Sequence, residues 1–290
     1  MAIIPFDDRD GFIWFDGDLI PWRDAKIHVL NHGLHYASCV FEGERIYDGK
    51  VFKLAEHSRR LVESARLLGM KLPYSAAEVS EATDRTVAAN NMVNGYARPV
   101  VWRGSEMMAV AAQAARIHMA IAVWQWPSYW SPEARMQGIR LDISEWRRPH
   151  PQTAPTQAKA SGLYMIGTLS KHTAEAAGYD DSLLLDWRGQ IAEASGANIF
   201  FVFDGEVHTP IPDCFLNGIT RQTVMDLVRA RGLKLVERAI IPEEMARAGE
   251  CFLTGSAAEL TPVREIGPYT FTPGAVTRQL IADYDALVRA

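Results

Sequence analysis

The chain has 290 residues, 48% hydrophobic and 22% charged, with a formal net charge of −5. This is ample apolar material for a core and more length than one average domain needs, so two domains or one large one are expected. The acidic balance excludes a basic footprint for nucleic acid or an anionic membrane, no run reaches 18 apolar residues, and the acidic start MAIIPFDDRDGF carries no signal-peptide core.

FIWFDGDLIPW (12–22) alternates apolar and polar residues about Asp16-Gly17, a hairpin signal, and RIYDGKVFKL (45–54) repeats the device at Asp48-Gly49. Leu54, Leu61, Ala65 and Leu68 recur at helical spacing up to a stop at Gly69, which predicts a helix over 54–70. Ser75 with Glu78 reads as a capping box opening a second helix that ends near Asn90-Asn91, and strands are expected at 96–102 and 117–124. These elements form a small α+β domain over 1–123. The Trp-, Pro- and Tyr-rich stretch 124–138 lacks periodicity and reads as an interdomain loop, whose rings either wall a site or simply pack on the surface.

The larger domain, 139–290, begins with a strand at 139–145, a Pro-rich loop at 149–156 and a helix from about Ser161 to Gly178. Hairpins turning at glycines follow at 182–193 and 198–210, then a helix at 219–232, a strand in KLVERAI, a short helix in PEEMARAG, a strand in ECFLTGS and a terminal helix at 275–289. Strands and helices without regular βαβ alternation make the fold class α+β rather than a doubly wound sheet. The three cysteines (Cys39, Cys214 and Cys251) are odd in number, far apart and without a CxxC, so they read as reduced thiols of a cytoplasmic protein.

Chemistry is suggested at few positions. The chain holds 23 arginines but only seven lysines, and one of these, Lys159 in TQAKASGLY, is flanked by Ala158, Ala160, Ser161 and Gly162, which leave room beside its amine. NGITRQT (217–223) puts Gly218 before a helix whose first turn holds Ile219 and Thr220, either an anion site or plain helix capping. LTGSAAEL (253–260) ends in small residues around Ser256 and Ala257 whose amides can approach a ligand, or which form an ordinary turn. Glu193 closes a strand ahead of Asn198, and its carboxylate could hold a proton on a heterocyclic nitrogen or simply face solvent. Tyr96 and Arg98 share one strand face, where the guanidinium either reads a carboxylate or pairs with an acidic neighbour. His32 and His35 invite a metal, but no third ligand follows at familiar spacing, and none is expected.

Together these segments resemble the class IV, branched-chain type, pyridoxal-phosphate aminotransferases. The likeness runs through HGLHYASCVFEG, HSRRL, YARP, TQAKASGLY, EASGANIF, GITR and TGSAAELTPV, in the family's order and over nearly the whole chain. It implies a two-domain fold-type IV enzyme in which Lys159 holds pyridoxal 5′-phosphate as a Schiff base and moves a proton between substrate and cofactor. By the same resemblance, Glu193, with Asn198 beside it, holds the pyridine nitrogen, Tyr164 the ring 3-oxygen and Leu216 the ring face. Arg60, Gly218, Ile219, Thr220 and Ser256 hold the phosphate. Tyr36, Phe41, Tyr96, Arg98, Trp126, Tyr129, Ser256 and Ala257 line the substrate pocket. One stretch departs from the family pattern: the loop after YARPVVW, RGSEMMAVAAQAA, is Ala-rich where the family carries a more polar, glycine-bearing segment.

The implied reaction is amino transfer between branched-chain L-amino acids and 2-oxoglutarate by a cytoplasmic homodimer or higher homo-oligomer. Neither nucleic acid nor membrane is an expected partner. D-amino-acid and (R)-amine transaminases, and aminodeoxychorismate lyase, use the same scaffold, and a non-catalytic phosphate-ligand-binding protein is the reading outside enzymes.

Overall fold

The structure, a computed structural model, describes residues 4–126 and 135–290. It forms two compact units. The first holds the described residues up to 126 together with Ala158–Gly162, and the second holds residues 135–157 and Leu163–Ala290. The interdomain loop expected at 124–138 lies largely outside the described residues, as does Tyr129.

In the first unit, the strands are β1 (Phe12–Phe15), β2 (Asp18–Pro21), β3 (Cys39–Phe41), β4 (Glu44–Tyr47), β5 (Lys50–Val51), β6 (Gly95–Arg103) and β7 (Ile117–Gln125), and the helices are α1 (His32–Tyr36), α2 (Leu54–Leu67) and α3 (Ala76–Ala89). The strands form one sheet, ordered β2-β1-β7-β6-β4-β5, with β3 also on β6. Both expected Asp-Gly turns hold their two central residues at positive φ, 50° and 116° at Asp16-Gly17 and 49° and 81° at Asp48-Gly49, the twist a two-residue hairpin needs. The Ser75–Glu78 capping box forms in both directions and starts α3.

Pro99, in the middle of β6, is tolerated for a definable reason. On that edge β6 pairs with β3 up to Val100↔Phe41 and with β4 from Ala97↔Glu44 onward. Pro99 falls at the break between them, where it serves as acceptor, its carbonyl taking the Glu42 N–H at 2.8 Å. Gly43 lies in the same break because a Cβ there would come within 1.8 Å of the Tyr96 hydroxyl.

In the second unit, the strands are β8 (Ile139–Arg148), β9 (Asp181–Asp186), β10 (Ile191–Ala194), β11 (Asn198–Phe203), β12 (Glu206–Thr209), β13 (Leu235–Glu237), β14 (Glu250–Gly255), β15 (Glu259–Ile266) and β16 (Tyr269–Thr270). The helices are α4 (Met165–Ala176), α5 (Ile219–Ala230) and α6 (Ala275–Leu287). The sheet runs β10-β9-β8-β15-β14-β11-β12-β13, and because β10 also pairs with β11, the strands from β10 round to β11 close a ring. Its interior is apolar, with Leu141, Leu183, Ile199, Phe201, Leu253 and Val263 in one buried cluster. Closure removes two sheet edges and brings the β10–β11 turn, residues 194–197, against the turn after β14.

Three sequence expectations shift. The helix expected from Ser161 begins as a 3-10 turn at Ser161–Leu163 and becomes α-helical only at Met165, and Ala160 just before it forms an antiparallel bridge with Val40. Strand β8 runs on to Arg148 through a register shift after Ile143 that breaks its alternation. Strand β15 has no counterpart among the elements expected from the sequence; it carries Pro262 and pairs with both β14 and β8. Among the described residues no helix is long and apolar enough to cross a membrane.

Candidate active site

In the first unit the side chains of Phe41, Tyr96, Arg98 and Lys159 meet around one ring. The Lys159 Nζ stands 4.9 Å from the Phe41 centroid, and the Arg98 guanidinium 4.7 Å from it. Strand alternation puts Tyr96 and Arg98 on one face of β6, so Arg98 also lies over Tyr96 at 5.4 Å and reaches Trp124 at 6.0 Å. Trp126 packs on Tyr96, ring centroids 5.2 Å apart. The Arg98 Nε is buried without a hydrogen-bond partner, and among the described residues no carboxylate pairs with this arginine. Tyr36 is placed on α1, half-exposed, with its ring stacked on His32. His32 and His35 each bind a backbone carbonyl, of Ala109 and Val29.

Behind this face lies a charged knot that sequence reasoning missed. Glu42 is fully buried and receives Arg60 Nε and Nη2 at 2.7 and 2.8 Å and His57 Nδ1 at 2.7 Å. Burial pushes the Glu42 carboxyl up, but the Arg60 guanidinium and His57 outweigh it and hold the group well below the usual carboxylate range. Burial pushes His57 down, with Arg60 and Lys159 adding to the effect against the pull of Glu42. Arg60, expected to bind phosphate, has its fork seated on Glu42.

The second unit carries the other expected residues in one hydrogen-bonded chain. Glu193, 6% exposed, is paired with Arg148 at 2.6 Å and accepts from Asn198 Nδ2 at 3.1 Å. The Asn198 amide also donates to the Leu216 carbonyl at 3.0 Å, and its Oδ1 accepts from the Gly218 N–H at 3.2 Å. Asn198 thus ties the buried carboxylate to the start of α5. Gly218 is the helix N-cap, with no side-chain cap bond, and a Cβ on it would come within 2.2 Å of Asn198 Oδ1. The amides of Ile219 and Thr220 then open α5 with no intrahelical acceptor available to them. Ser256 and Ala257 form the turn after β14, which abuts Ala197, and Tyr164 precedes α4, whose Gly167 presses on the Ser195 carbonyl.

The family model for amino-transferase class IV matches residues 39–266, a span that holds both clusters. The chain belongs to the class IV aminotransferases. It is 45% identical over 263 residues to the branched-chain-amino-acid aminotransferase of Pseudomonas aeruginosa, covering 89% of this chain and 86% of that protein. The branched-chain aminotransferase of the archaeon Thermoproteus uzoniensis, solved with norvaline, superposes with a TM-score of 0.92 at 35% identity, covering 97% of this chain and 95% of that one. The branched-chain amino acid aminotransferase of Thermobaculum terrenum, solved in its PLP-bound holo-form, gives a TM-score of 0.88 at 30% identity, covering 97% and 95%. The α+β architecture read from the sequence is therefore that of the branched-chain aminotransferase structures.

The residues of this class IV aminotransferase fit a phosphorylated pyridine. A twelve-residue helix with a glycine N-cap and no side-chain cap bond suits a phosphate, and a buried carboxylate on the same hydrogen-bonded chain suits a ring nitrogen. Arg148 has no sequence signature, since nothing in WRRPH separates it from Arg147.

Glu44 gives a stability prediction. It is fully buried beside Glu42 with neither oxygen hydrogen-bonded, and burial first, then the Glu42 charge, push its carboxyl well above the ordinary range, with Asp84 adding and Arg60 opposing. A group raised in the folded state contributes stability that is present below the unfolded value and lost as pH climbs through the folded one. Glu44→Met removes both the titration and the orphaned oxygens, so it is expected to raise stability by about 1–3 kcal/mol at pH 8 and by less at pH 5. Denaturation midpoints at the two pH values test this, and a variant less stable than wild type at pH 8 contradicts it.

Proposed function

We propose that this enzyme transfers the amino group between branched-chain L-amino acids (leucine, isoleucine and valine) and 2-oxoglutarate, with pyridoxal 5′-phosphate as cofactor. The observation that carries the reading is the Phe41 ring, with an amine on it at 4.9 Å and a guanidinium at 4.7 Å. It offers apolar wall, reactive nitrogen and carboxylate reader together. When bound, the cofactor supplies an electron sink for the charge left as a proton departs the substrate α-carbon. Lys159 would hold the cofactor through its amine and would take up and return that proton. Glu193, oriented by Arg148 and Asn198, accepts a hydrogen bond from the protonated ring nitrogen. Tyr164 donates to the ring 3-oxygen and Leu216 covers the ring. The first amides of α5, with Thr220 and Ser256, hold the phosphate, and Arg60 adds a positive charge.

An apolar side chain and a dicarboxylate must use one pocket. An unpaired arginine facing an apolar wall is costly to desolvate, but Arg98 lies on aromatic faces that stabilise the cation when an alkyl chain is present. Its guanidinium then takes the distal carboxylate of glutamate or 2-oxoglutarate, with Tyr36 completing the pocket. Arg98→Ala is expected to slow the 2-oxoglutarate half-reaction about tenfold or more while sparing the leucine half-reaction. Stopped-flow measurement of each half-reaction checks this, and equal losses would put Arg98 on the shared α-carboxylate instead. Half-reactions with L-leucine, L-valine, D-alanine and (R)-1-phenylethylamine test the function itself, and turnover of D-alanine alone would overturn it. The free thiols support a cytoplasmic location. The exposed Val29, Leu30, Leu34 and Val110 support a homo-oligomer.

A further inference from the structure

Lys159 sits in a segment whose backbone is held separately from its side chain. Its N–H donates to Ser64 Oγ at 3.0 Å, and its carbonyl accepts from the Phe41 N–H at 3.1 Å. Ala160 forms the bridge to Val40, Ala158 and Ala160 are buried, and a Cβ on Gly162 would meet Ala37 at 3.0 Å. The five residues from Ala158 to Gly162 are thereby part of the first unit, although the chain on either side of them belongs to the second.

Ser64 is 1% exposed and lies on the face of α2 that also carries His57 and Arg60. Spacings of three and four residues put the three side chains in one row. Two of them grip Glu42, next to Phe41, and the third grips the Lys159 amide. The helix therefore fixes both the strand that takes the Lys159 carbonyl and the amide on the other side of the same residue.

We propose that Ser64 is a positioning residue that sets the backbone of Lys159, so that a four-carbon side chain delivers its amine to one place. This rests on the role given above to Lys159, and it adds a residue that touches neither substrate nor cofactor. A serine suits the task because its small hydroxyl accepts a hydrogen bond from within a packed helix face, whereas alanine leaves the Lys159 N–H without an acceptor. Misplacement of the amine by a fraction of an ångström costs rate and not substrate affinity.

The test uses the holoenzyme with Ser64→Ala, the near-isosteric Ser64→Cys, and Ser64→Thr, which restores a hydroxyl. Hydrogen exchange of the peptide 156–164 is expected to quicken about fivefold or more in the alanine and cysteine variants, with other peptides of the first unit unchanged. In the same variants kcat for L-leucine is expected to fall about 10- to 100-fold with KM within about twofold, and threonine should recover both readouts. Unchanged exchange at 156–164 overturns the proposal whatever happens to kcat. Faster exchange with unchanged kcat also overturns it, since the hydrogen bond would then hold the chain without serving the reaction. If alanine prevents folding, the cysteine and threonine pair decides. Failure of these variants leaves the assignment of Lys159 standing, because that assignment is tested by removing the amine itself.

Discussion

Lys159→Ala is expected to lower transamination between L-leucine and 2-oxoglutarate by about 10⁴-fold or more. Loss of a positioned general base alone costs about 10²- to 10⁴-fold, and this variant also loses the covalent attachment of the cofactor. The backbone bonds to Ser64 and Phe41 do not involve the amine, so the fold around residue 159 should persist. The amides at the start of α5 remain, and equilibrium dialysis should still detect pyridoxal 5′-phosphate binding. Borohydride treatment followed by peptide mapping should mark Lys159 in the wild type and no lysine in the variant. Near wild-type turnover would refute the assignment.

Glu193→Gln is expected to do two separable things. It removes the negative charge that holds a proton on the ring nitrogen, which should lower kcat by about 10²- to 10³-fold, the scale of one lost charge-stabilising contact. It also strands Arg148, which is 7% exposed and paired with Glu193 at 2.6 Å, and a buried ion left without its partner costs about 3–5 kcal/mol. The single variant should therefore be both slow and less stable. Adding Arg148→Met removes the stranded cation, and the double variant is expected to regain stability while kcat stays low. Thermal melts and steady-state rates on the four proteins separate the two effects. Recovery of kcat together with stability would make Glu193 a structural partner of Arg148 and nothing more.

Much of this molecule was legible in its sequence because the relevant physics is local. Asp-Gly turns, a capping box and helical spacing act over a few residues, so the hairpins at Asp16 and Asp48 and the start of α3 at Ser75 follow without a structure. The small residues around Lys159 and the glycine at 218 before a helix are local too, and with the ordered motifs they pointed to the aminotransferase family. What the sequence could not reveal were relations between distant segments. Strand β15 is held by pairing with both β14 and β8, and Ala160, just ahead of the late-starting helix, bridges to Val40, 120 positions earlier. Arg148 looks like its neighbour Arg147, and Ser64 looks like any serine in a helix, until folding puts one against Glu193 and the other against the Lys159 amide. Burial decides such roles. A carboxylate or a hydroxyl in water has no preferred partner, and only the tertiary structure, by excluding water and leaving one group within reach, turns it into a specific contact.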